Sequence, residues 1–301
     1  MTLARTLAAG VRGEIVERAP LDRLTTIRLG GPADLLFRPT GTDDLVAALR
    51  IFRDQGASPW LLGGGANTLV GDRGVRQPVV QLADGFDGEE WPAEDEVVLG
   101  AAVAGMRALR AARKRGLVGP EFLVGIPGTL GGQVAMNAGT RHGEVSSLLV
   151  AAEIATADGA GWLPAKELDF GYRRCRLPPG GVVVRARLRL SRGDVAAADA
   201  GVQEDLAYRR RTQPWDQPNL GSTFQNPPGD HAGRLLEAAG LKGHRIGGVA
   251  FSDRHANFLV NLAPGAARAA DAQALVELAM ARLHERFGVS LEPEIRRVGE
   301  F

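Results

Sequence analysis

The sequence lacks several features that would assign it to a broad class of protein at once. It has one cysteine, Cys175, so no intramolecular disulfide can form. It has no run of roughly 18 apolar residues, the length that a membrane-spanning helix needs. We also see no positively charged segment followed by an apolar run, the pattern of a signal peptide. Its 36 lysines and arginines offset 35 aspartates and glutamates, and a net charge of +1 attracts neither nucleic acid nor a membrane surface. We therefore expect a cytoplasmic protein with no nucleic-acid or membrane partner. A monomer is also expected, although composition does not show the oligomeric state.

Aromatic residues, at 5%, and lysines are also scarce. Lys114, Lys166 and Lys242 are the three lysines, so nearly all positive charge is arginine, mostly on solvated helix faces. The five histidines show no metal-ligand spacing, which predicts no metal site. Against this background the polar segment GSTFQNP, residues 221–227, indicates either a surface turn or a pocket for a polar ligand.

Hydrophobic periodicity predicts a strand–helix–strand unit early in the chain. The segments DLLF and SPWLL are the strands, and the helix between them begins near Thr42 and ends before Gly56. Two further strands, VRQPVVQL and DEVVLGAAVAG, precede a helix from about Met106 to Arg115. Alternating residues in LLVAAEIATADG and GGVVVRARLRLS then predict antiparallel strands with one solvated face.

The hydrophobic pattern fades after residue 190, which predicts a linker or crossing helix over residues 191–212. Two helices are expected beyond it, from Asp230 as N-cap to about Ala239 and from about Asp271 to Phe287. The segment HANFLVNL between them predicts a strand, and SLEPEIRRVGEF predicts a polar tail. We expect a first domain over residues 1–195, with lobes of about 1–78 and 79–195, and a second over 196–301.

Two glycine-rich segments are the strongest candidates for a cofactor site. GGGAN, residues 63–67, follows a strand but matches neither the dinucleotide fingerprint nor the P-loop, so alone it is equally well a flexible turn. The second segment, GIPGTLGGQVAMNAG, is almost uncharged, so backbone amides rather than arginines would hold a diphosphate there. Two such loops in one half of the chain favour a bound dinucleotide.

Seven motifs together resemble one family. In chain order they are GGGAN, GIPGTLGGQVAMNAG, FGYRRC, GSTFQNP, GLKGHRIGG, HANFLVN and LEPEIR. This set is similar to the MurB family, the UDP-N-acetylenolpyruvoylglucosamine reductases of bacterial cell-wall synthesis, over residues 25–301. The resemblance implies an α+β fold, in which a two-lobed FAD-binding domain of the vanillyl-alcohol-oxidase (PCMH) type precedes an α+β substrate-binding domain. It also implies FAD as cofactor, NADPH as co-substrate and a UDP-sugar substrate.

The resemblance also implies roles for individual residues. Arg173 would stabilise an enolate, Ser222 would donate a proton, and Glu294 would assist at the substrate carboxylate. The implied FAD-binding residues are Gly63, Gly64, Gly65, Ala66, Asn67, Thr68, Gly125, Ile126, Pro127, Gly128, Thr129, Gly131, Gly132, Asn137, Ala138 and Gly139. The implied substrate-binding residues are Tyr172, Arg211, Gln225, Asn226, Lys242 and Asn257. If residues 173–175 form a strand, Cys175 lies on the same side as Arg173, as a small buried residue.

One departure and two alternatives qualify this reading. Gln225 stands where the family commonly has lysine, so a charge contact to the substrate or NADPH is either missing or supplied by Lys242 or an arginine. The short interval from Tyr172 to Ser222 resembles the shorter, type II subgroup. The first alternative is a sugar-alcohol oxidase of the same cofactor fold, although only His142, at a loop margin, could attach a flavin covalently. The second is a nucleotide-sugar binding protein without catalysis.

Overall fold

The computed structural model describes residues 2–301, which form two compact units. Unit 1 contains the residues up to Glu17 together with Leu35–Gly64 and Gln77–Leu206. Unit 2 contains Arg18–Asp34, Gly65–Arg76 and Ala207–Phe301. Unit 2 thus combines two N-terminal segments with the C-terminal part of the chain. The domain bounds expected from the sequence stay a prediction.

The secondary structure is mixed, as the α+β prediction requires. The α-helices are α1 (Leu3–Gly10), α2 (Thr42–Asp54), α3 (Gly105–Arg113), α4 (Leu130–Ala135), α5 (Val195–Thr212), α6 (Ala232–Ala238) and α7 (Ala269–Phe287). The strands are β1 (Glu14–Pro20), β2 (Pro32–Arg38), β3 (Trp60–Leu62), β4 (Thr68–Val70), β5 (Val79–Gln81), β6 (Glu89–Glu90), β7 (Glu96–Gly100), β8 (Leu117–Val118), β9 (Gly139–Thr140), β10 (Gly143–Glu144), β11 (Leu149–Thr156), β12 (Gly159–Pro164), β13 (Val182–Arg189), β14 (Ser191–Arg192), β15 (Asn219–Ser222), β16 (Arg245–Ile246), β17 (Val249–Phe251), β18 (Phe258–Asn261) and β19 (Arg296–Val298). None of the helices in residues 2–301 has the length and hydropathy needed to span a membrane.

Unit 1 contains the predicted antiparallel sheet, whose strands are ordered β12-β11-β13-β7-β6. On β13, Val184, Ala186 and Leu188 are buried, whereas Arg185 and Arg187 between them are partly exposed. This alternation confirms the prediction of one solvated face, because successive side chains on a strand point to opposite sides of the sheet.

The predicted strand–helix–strand unit is formed by β2, α2 and β3. Both strands pair parallel with β5, which lies between them in the order β1-β2-β5-β3. Helix α2 begins at Thr42 as expected, with Gly41 as its N-cap. Gly56 has φ +66°, the left-handed conformation that commonly follows the end of a helix.

The other predicted helices are present with small differences. The expected helix over 106–115 is α3, and Gly116 after it has φ +69°. The segment 191–212 forms a crossing helix, α5, rather than an irregular linker. Helix α7 ends at Gly288 as predicted, with φ +67°.

The N-cap predicted for α6 is wrong. The cap position is His231 rather than Asp230. The carboxylate of Asp230 instead accepts a hydrogen bond from the N–H of His231 and pairs with Arg234. The first helical N–H, that of Ala232, donates to Oδ1 of Asn226 at 3.0 Å. The side chain of Asn226, in the preceding loop, therefore caps the helix in place of Asp230.

Unit 2 is built on an antiparallel sheet ordered β15-β18-β17-β16, with α6 and α7 packed on it. A second pairing joins β4 to β19 in parallel, with Thr68 opposite Arg296 and Val70 opposite Val298. Leu291, Ile295 and Val298 are buried. The expectation of a polar tail is therefore wrong, because Arg296–Val298 form a paired strand and the three apolar residues Leu291, Ile295 and Val298 enter the core.

Candidate active site

The two glycine segments meet within unit 1. A Cβ atom added to Gly64 would lie 2.7 Å from Cα of Gly128, and one added to Gly63 would lie 3.1 Å from Oγ1 of Thr129. Contacts below 3.0 Å are essentially never made by real Cβ atoms, so glycine at 64 is required by the close approach of the two backbones. The structure therefore brings together the two loops that the sequence predicts as one cofactor site.

The second segment changes direction at glycines and then enters a short helix. Gly125 and Gly128 have φ +81° and +100°, with Ile126 and Pro127 between them. Thr129 is the N-cap residue of α4, and the N–H of Gly131 donates to Ala101 at 2.9 Å. The loop is thus anchored by its backbone to the strand-end region of unit 1.

Gln133 is a candidate that the sequence reading missed. It lies in α4 with only 3% of its surface exposed, and its Nε2 donates to the carbonyl oxygen of Ile126 at 3.3 Å. Its Oε1 has no hydrogen-bond partner among residues 2–301. A buried acceptor left without a donor is costly, so this atom marks a place for a ligand donor. The sequence around Gln133 does not indicate that its side-chain oxygen is buried without a donor.

Asn137 connects the second glycine segment to the arginine motif. Its side chain is fully buried, with Nδ2 donating to the carbonyl oxygen of Gly171 at 3.1 Å. Its Oδ1 accepts the backbone N–H of Ser146 at 3.0 Å. Both ends of this amide therefore bond to protein backbone. The contact of Asn137 with FAD that the resemblance implies stays a prediction.

Arg173 lies in a tight turn rather than in a strand. Gly171 and Arg174 exchange two backbone hydrogen bonds of 2.9 and 3.0 Å, and Arg173 between them has φ +54°. Its Nη2 donates to the carbonyl oxygen of Gly139 at 3.1 Å. The guanidinium carbon lies 5.2 Å from the ring centre of Tyr172, whose surface is 53% exposed. Because Arg173 is in a turn, the expectation that Cys175 lies on the same side of a strand as Arg173 does not hold.

Cys175 is half-buried against the core of unit 1. Burial raises the pKa of its thiol to about 11. The group is therefore a neutral packing residue at neutral pH, which agrees with the role of a small filler.

Ser222 and Glu294 lie on adjacent paired segments of unit 2. Ser222 ends β15 opposite Phe258 of β18 and is half-buried, after Gly221 with φ +71°. The next residue, Thr223, accepts the N–H of Glu294 at 2.8 Å. The serine and the glutamate are thus held close in register by backbone pairing, although they are far apart in the sequence.

The serine loop is shaped by Asn257. Its Oδ1 accepts the N–H of Phe224 at 2.9 Å and its Nδ2 donates to the carbonyl oxygen of Phe224 at 2.8 Å. Only 3% of Asn257 is exposed, so its side chain holds the loop from within. His255 beside it accepts the N–H of Asn257 at Nδ1, and burial lowers the pKa of this histidine. Direct contact of Asn257 with a substrate remains a prediction.

The end of GGGAN also joins unit 2. Gly65 has φ +64°, and a Cβ there would lie 1.9 Å from the carbonyl oxygen of Leu24. Asn67 donates from Nδ2 to the carbonyl oxygen of Glu294 at 3.0 Å, and its own carbonyl accepts the N–H of Arg296 at 2.8 Å. Thr68 continues this contact as the first residue of β4. The predicted flavin loop is therefore also a support for the residue that carries the candidate carboxylate.

The remaining candidates are mostly at the surface of unit 2. Gln225 is half-buried, and its backbone N–H donates to Glu292 at 2.9 Å. Asn226 and Arg211 are exposed, the latter in the last turn of α5. Lys242 pairs with Glu237 at 2.9 Å. In unit 2 the structure groups Gln225 and Asn226 with Ser222, while Arg173 and Tyr172 belong to unit 1.

Comparison with known proteins supports both parts of the chain. Residues 33–161 match a family model described as an FAD binding domain. Residues 213–298 match one described as the UDP-N-acetylenolpyruvoylglucosamine reductase C-terminal domain. Together the two models match more than half of the chain.

Individual relatives match nearly end to end. A UDP-N-acetylenolpyruvoylglucosamine reductase from Anaeromyxobacter sp. (strain Fw109-5) is 56% identical over 291 residues, covering 97% of this chain and 91% of the relative. Its counterpart from Myxococcus xanthus (strain DK1622) is 50% identical over 291 residues, covering 96% and 93%. The crystal structure of the Thermus caldophilus enzyme (MurB) superposes with a TM-score of 0.81 at 37% identity, covering 96% and 99%. The predicted fold class is thereby confirmed.

Proposed function

Because the chain belongs to the UDP-N-acetylenolpyruvoylglucosamine reductase family, we propose that it reduces UDP-N-acetylglucosamine enolpyruvate to UDP-N-acetylmuramate. It is an FAD-dependent oxidoreductase that consumes NADPH and serves peptidoglycan precursor synthesis. The reaction adds a hydride to one vinyl carbon and a proton to its neighbour, while negative charge develops toward the substrate carboxylate.

The glycine loops of unit 1 fit the FAD that this activity requires. Gly63, Gly64 and Gly128 bring two side-chain-free backbones together, which suits an uncharged cradle for a diphosphate. The buried Oε1 of Gln133 is available to accept a hydrogen bond from the cofactor. When bound, FAD supplies the hydride-transfer chemistry. We assign the remaining loop contacts to Gly65, Ala66, Thr68, Gly125, Ile126, Pro127, Thr129, Gly131, Gly132, Ala138 and Gly139, and to the backbone, not the side chains, of Asn67 and Asn137.

Three side chains of this protein carry the chemistry in our proposal. Ser222 Oγ gives its proton to the substrate carbon beside the one that receives hydride. Arg173 places its planar guanidinium at the substrate carboxylate, where charge develops, and Glu294 acts with it there. A serine hydroxyl is a poor acid, so this transfer depends on the developing negative charge and on a relay that restores the serine proton.

The pairing of Thr223 with Glu294 is the observation that carries this proposal. It holds the segments of Ser222 and Glu294 side by side in unit 2, which supports a shared role for the serine and a protonated Glu294 at the reacting part of the substrate. We assign contacts with the rest of the substrate to Tyr172, Arg211, Gln225, Asn226, Lys242 and Asn257. In our proposal, Lys242, which pairs with Glu237 at 2.9 Å, or an arginine supplies the positive charge that Gln225 lacks.

Anaerobic stopped-flow absorption tests the function. NADPH is mixed with the holoenzyme and the visible flavin band is followed, and then the enolpyruvyl nucleotide sugar is added. We expect bleaching by NADPH and rapid return of the band with the sugar alone. Return of the band only with oxygen would instead identify a sugar-alcohol oxidase, and a colourless protein that only binds the sugar would identify a binding protein.

We further infer that the protein belongs to the shorter, type II subgroup and acts as a monomer in the cytoplasm, without nucleic acid. Light scattering after size exclusion should give a mass near the 31.8 kDa of one chain, and twice that mass would contradict the inference.

A further inference from the structure

The asparagines at the ends of the two glycine segments use their side chains in the same way. Asn137 donates from Nδ2 to the carbonyl oxygen of Gly171, and Asn67 donates from Nδ2 to the carbonyl oxygen of Glu294. The distances are 3.1 and 3.0 Å. One bond therefore ends on the backbone of the proposed catalytic residue Glu294, and the other ends two residues before Arg173.

The turn that carries Arg173 is attached to the second glycine segment at two points. One is the bond from Asn137 to Gly171, and the other is the bond from Arg173 Nη2 to Gly139 at 3.1 Å. Arg173 itself has φ +54°, a conformation that non-glycine residues adopt only when the surroundings enforce it. Asn137, fully buried and with φ +41°, is part of what enforces it.

The segment that carries Glu294 is attached to the first glycine segment in a similar way. The side chain of Asn67 holds the carbonyl oxygen of Glu294, and its backbone carbonyl accepts the N–H of Arg296 at 2.8 Å. Pairing then continues from Thr68 opposite Arg296 along β4 and β19. Asn67 thus sets where Glu294 stands relative to the glycine segment.

We propose that the side chains of Asn67 and Asn137 position Glu294 and Arg173 and do not bind the flavin. Each glycine loop then does two things: its backbone accommodates the cofactor, and its terminal asparagine holds a group that acts on the substrate carboxylate. This inference rests on the proposed reductase function. Its consequence is that loss of either amide impairs the reaction with the sugar and spares the reaction with NADPH.

The test uses holoenzyme of Asn67→Asp and Asn137→Asp. Aspartate has the same shape and tolerates positive φ, but it places an oxygen where the Nδ2 donor stood, facing a carbonyl oxygen. We expect flavin content and the rate of bleaching by NADPH to stay within about threefold of wild type. Reoxidation by the sugar should slow by about 10²-fold, the usual effect of displacing a reacting group by about 1 Å.

A pH profile separates positioning from general damage. Protonation of the introduced aspartate restores a hydrogen-bond donor. The rate of flavin reoxidation by the sugar in the variant, divided by that in wild type, should therefore rise as the pH falls. Asn261→Asp is the matched control, because Asn261 is also a buried asparagine, 2% exposed, whose Nδ2 donates to the carbonyl oxygen of Ile27 at 3.0 Å. It should leave both half-reaction rates near those of wild type.

The outcomes are distinct. If the variants lose flavin while their holoenzyme reacts normally with the sugar, the asparagines are flavin ligands and the inference is overturned. It is also overturned if wild type reacts with the sugar and both variants match it. A wild type that never reacts with the sugar would overturn the proposed function itself. Asn67 is only half-buried, so Asn67→Asp decides the matter if Asn137→Asp does not fold.

Discussion

The carbonyl oxygen of Thr223 accepts the backbone N–H of Glu294 at 2.8 Å. This bond joins the end of the serine strand to the C-terminal segment, and a second bond, from the N–H of Gln225 to Glu292 at 2.9 Å, extends the contact. Residues that are distant in the sequence are thereby fixed in one register.

Removal of the proposed proton donor should affect only one half of the catalytic cycle. We expect Ser222→Ala to slow sugar reduction by about 10²–10⁴-fold, the usual contribution of a positioned acid, and to leave flavin reduction by NADPH unchanged. Single-turnover stopped-flow measurements of each half-reaction check this. Equal losses in both halves would show that the serine is structural.

Replacement of the guanidinium group of Arg173 by an ammonium group should also slow the reaction with the sugar. Arg173→Lys keeps the positive charge but loses planar, two-pronged donation to a carboxylate and the bond from Nη2 to Gly139. We expect kcat with the sugar to fall by about 10²-fold, with normal flavin content. Full activity in this variant would exclude a specific role for the guanidinium.

The hydroxyl of Thr223 predicts a stabilising substitution. Its side chain is fully buried, and Oγ1 has no hydrogen-bond partner in the described chain, residues 2–301. Because a buried hydroxyl without a partner is costly, Thr223→Val should raise the free energy of unfolding by about 1 kcal/mol. Urea unfolding of the holoenzyme measures this. Thr223→Ala, which leaves a cavity, should be less stable than Thr223→Val, and the opposite order would contradict the explanation.

A remote cap stabilises α7. Oδ1 and Oδ2 of Asp72 accept the N–H groups of Ala269 and Ala270 at 2.7 and 3.0 Å. Asp72→Ala should therefore lower the free energy of unfolding by about 1 kcal/mol in chemical denaturation. Asp34→Ala, which removes an exposed ion pair with Arg76, serves as control and should change it by no more than about 0.5 kcal/mol.

Asp44 makes stability depend on pH. Its burial raises the carboxyl pKa, but hydrogen bonds from the N–H groups of Arg12 and Thr40 outweigh burial and lower the pKa overall. A carboxyl with a lower pKa in the folded than in the unfolded state stabilises the fold fully above the unfolded value, about 3.9. This stabilisation is lost as the pH falls through the folded pKa. Asp44→Asn should therefore cost more stability near about pH 7 than near about pH 3, and a cost independent of pH would contradict this.

Much of the fold follows from local pattern. Alternation in VVVRARLR indicates β13, and Gly288 marks the end of α7. The cap of α6 and the pairing of β19 with β4 do not follow, because they depend on Asn226 and on residues more distant along the chain. Local propensity carries no information about such partners.

The contacts of the candidate site residues are likewise only partly predictable from the sequence. Motif resemblance predicts roles for Arg173, Ser222, Glu294, Asn67 and Asn137, but it does not show that the amides of Asn67 and Asn137 donate to backbone carbonyl oxygens. A side chain's type is visible in the sequence, but the atom it reaches is decided by the folded chain. Gln133 is missed for the same reason.

Unit 2 is assembled from Arg18–Asp34, Gly65–Arg76 and Ala207–Phe301, and this has a consequence for synthesis on the ribosome. Strand β4 is translated long before its partner β19, so β4 remains an unpaired edge during the elongation between them. A nascent chain that stops before β19 would lack the partner of β4. Synthesis of β19 therefore decides when the first glycine loop acquires its native support.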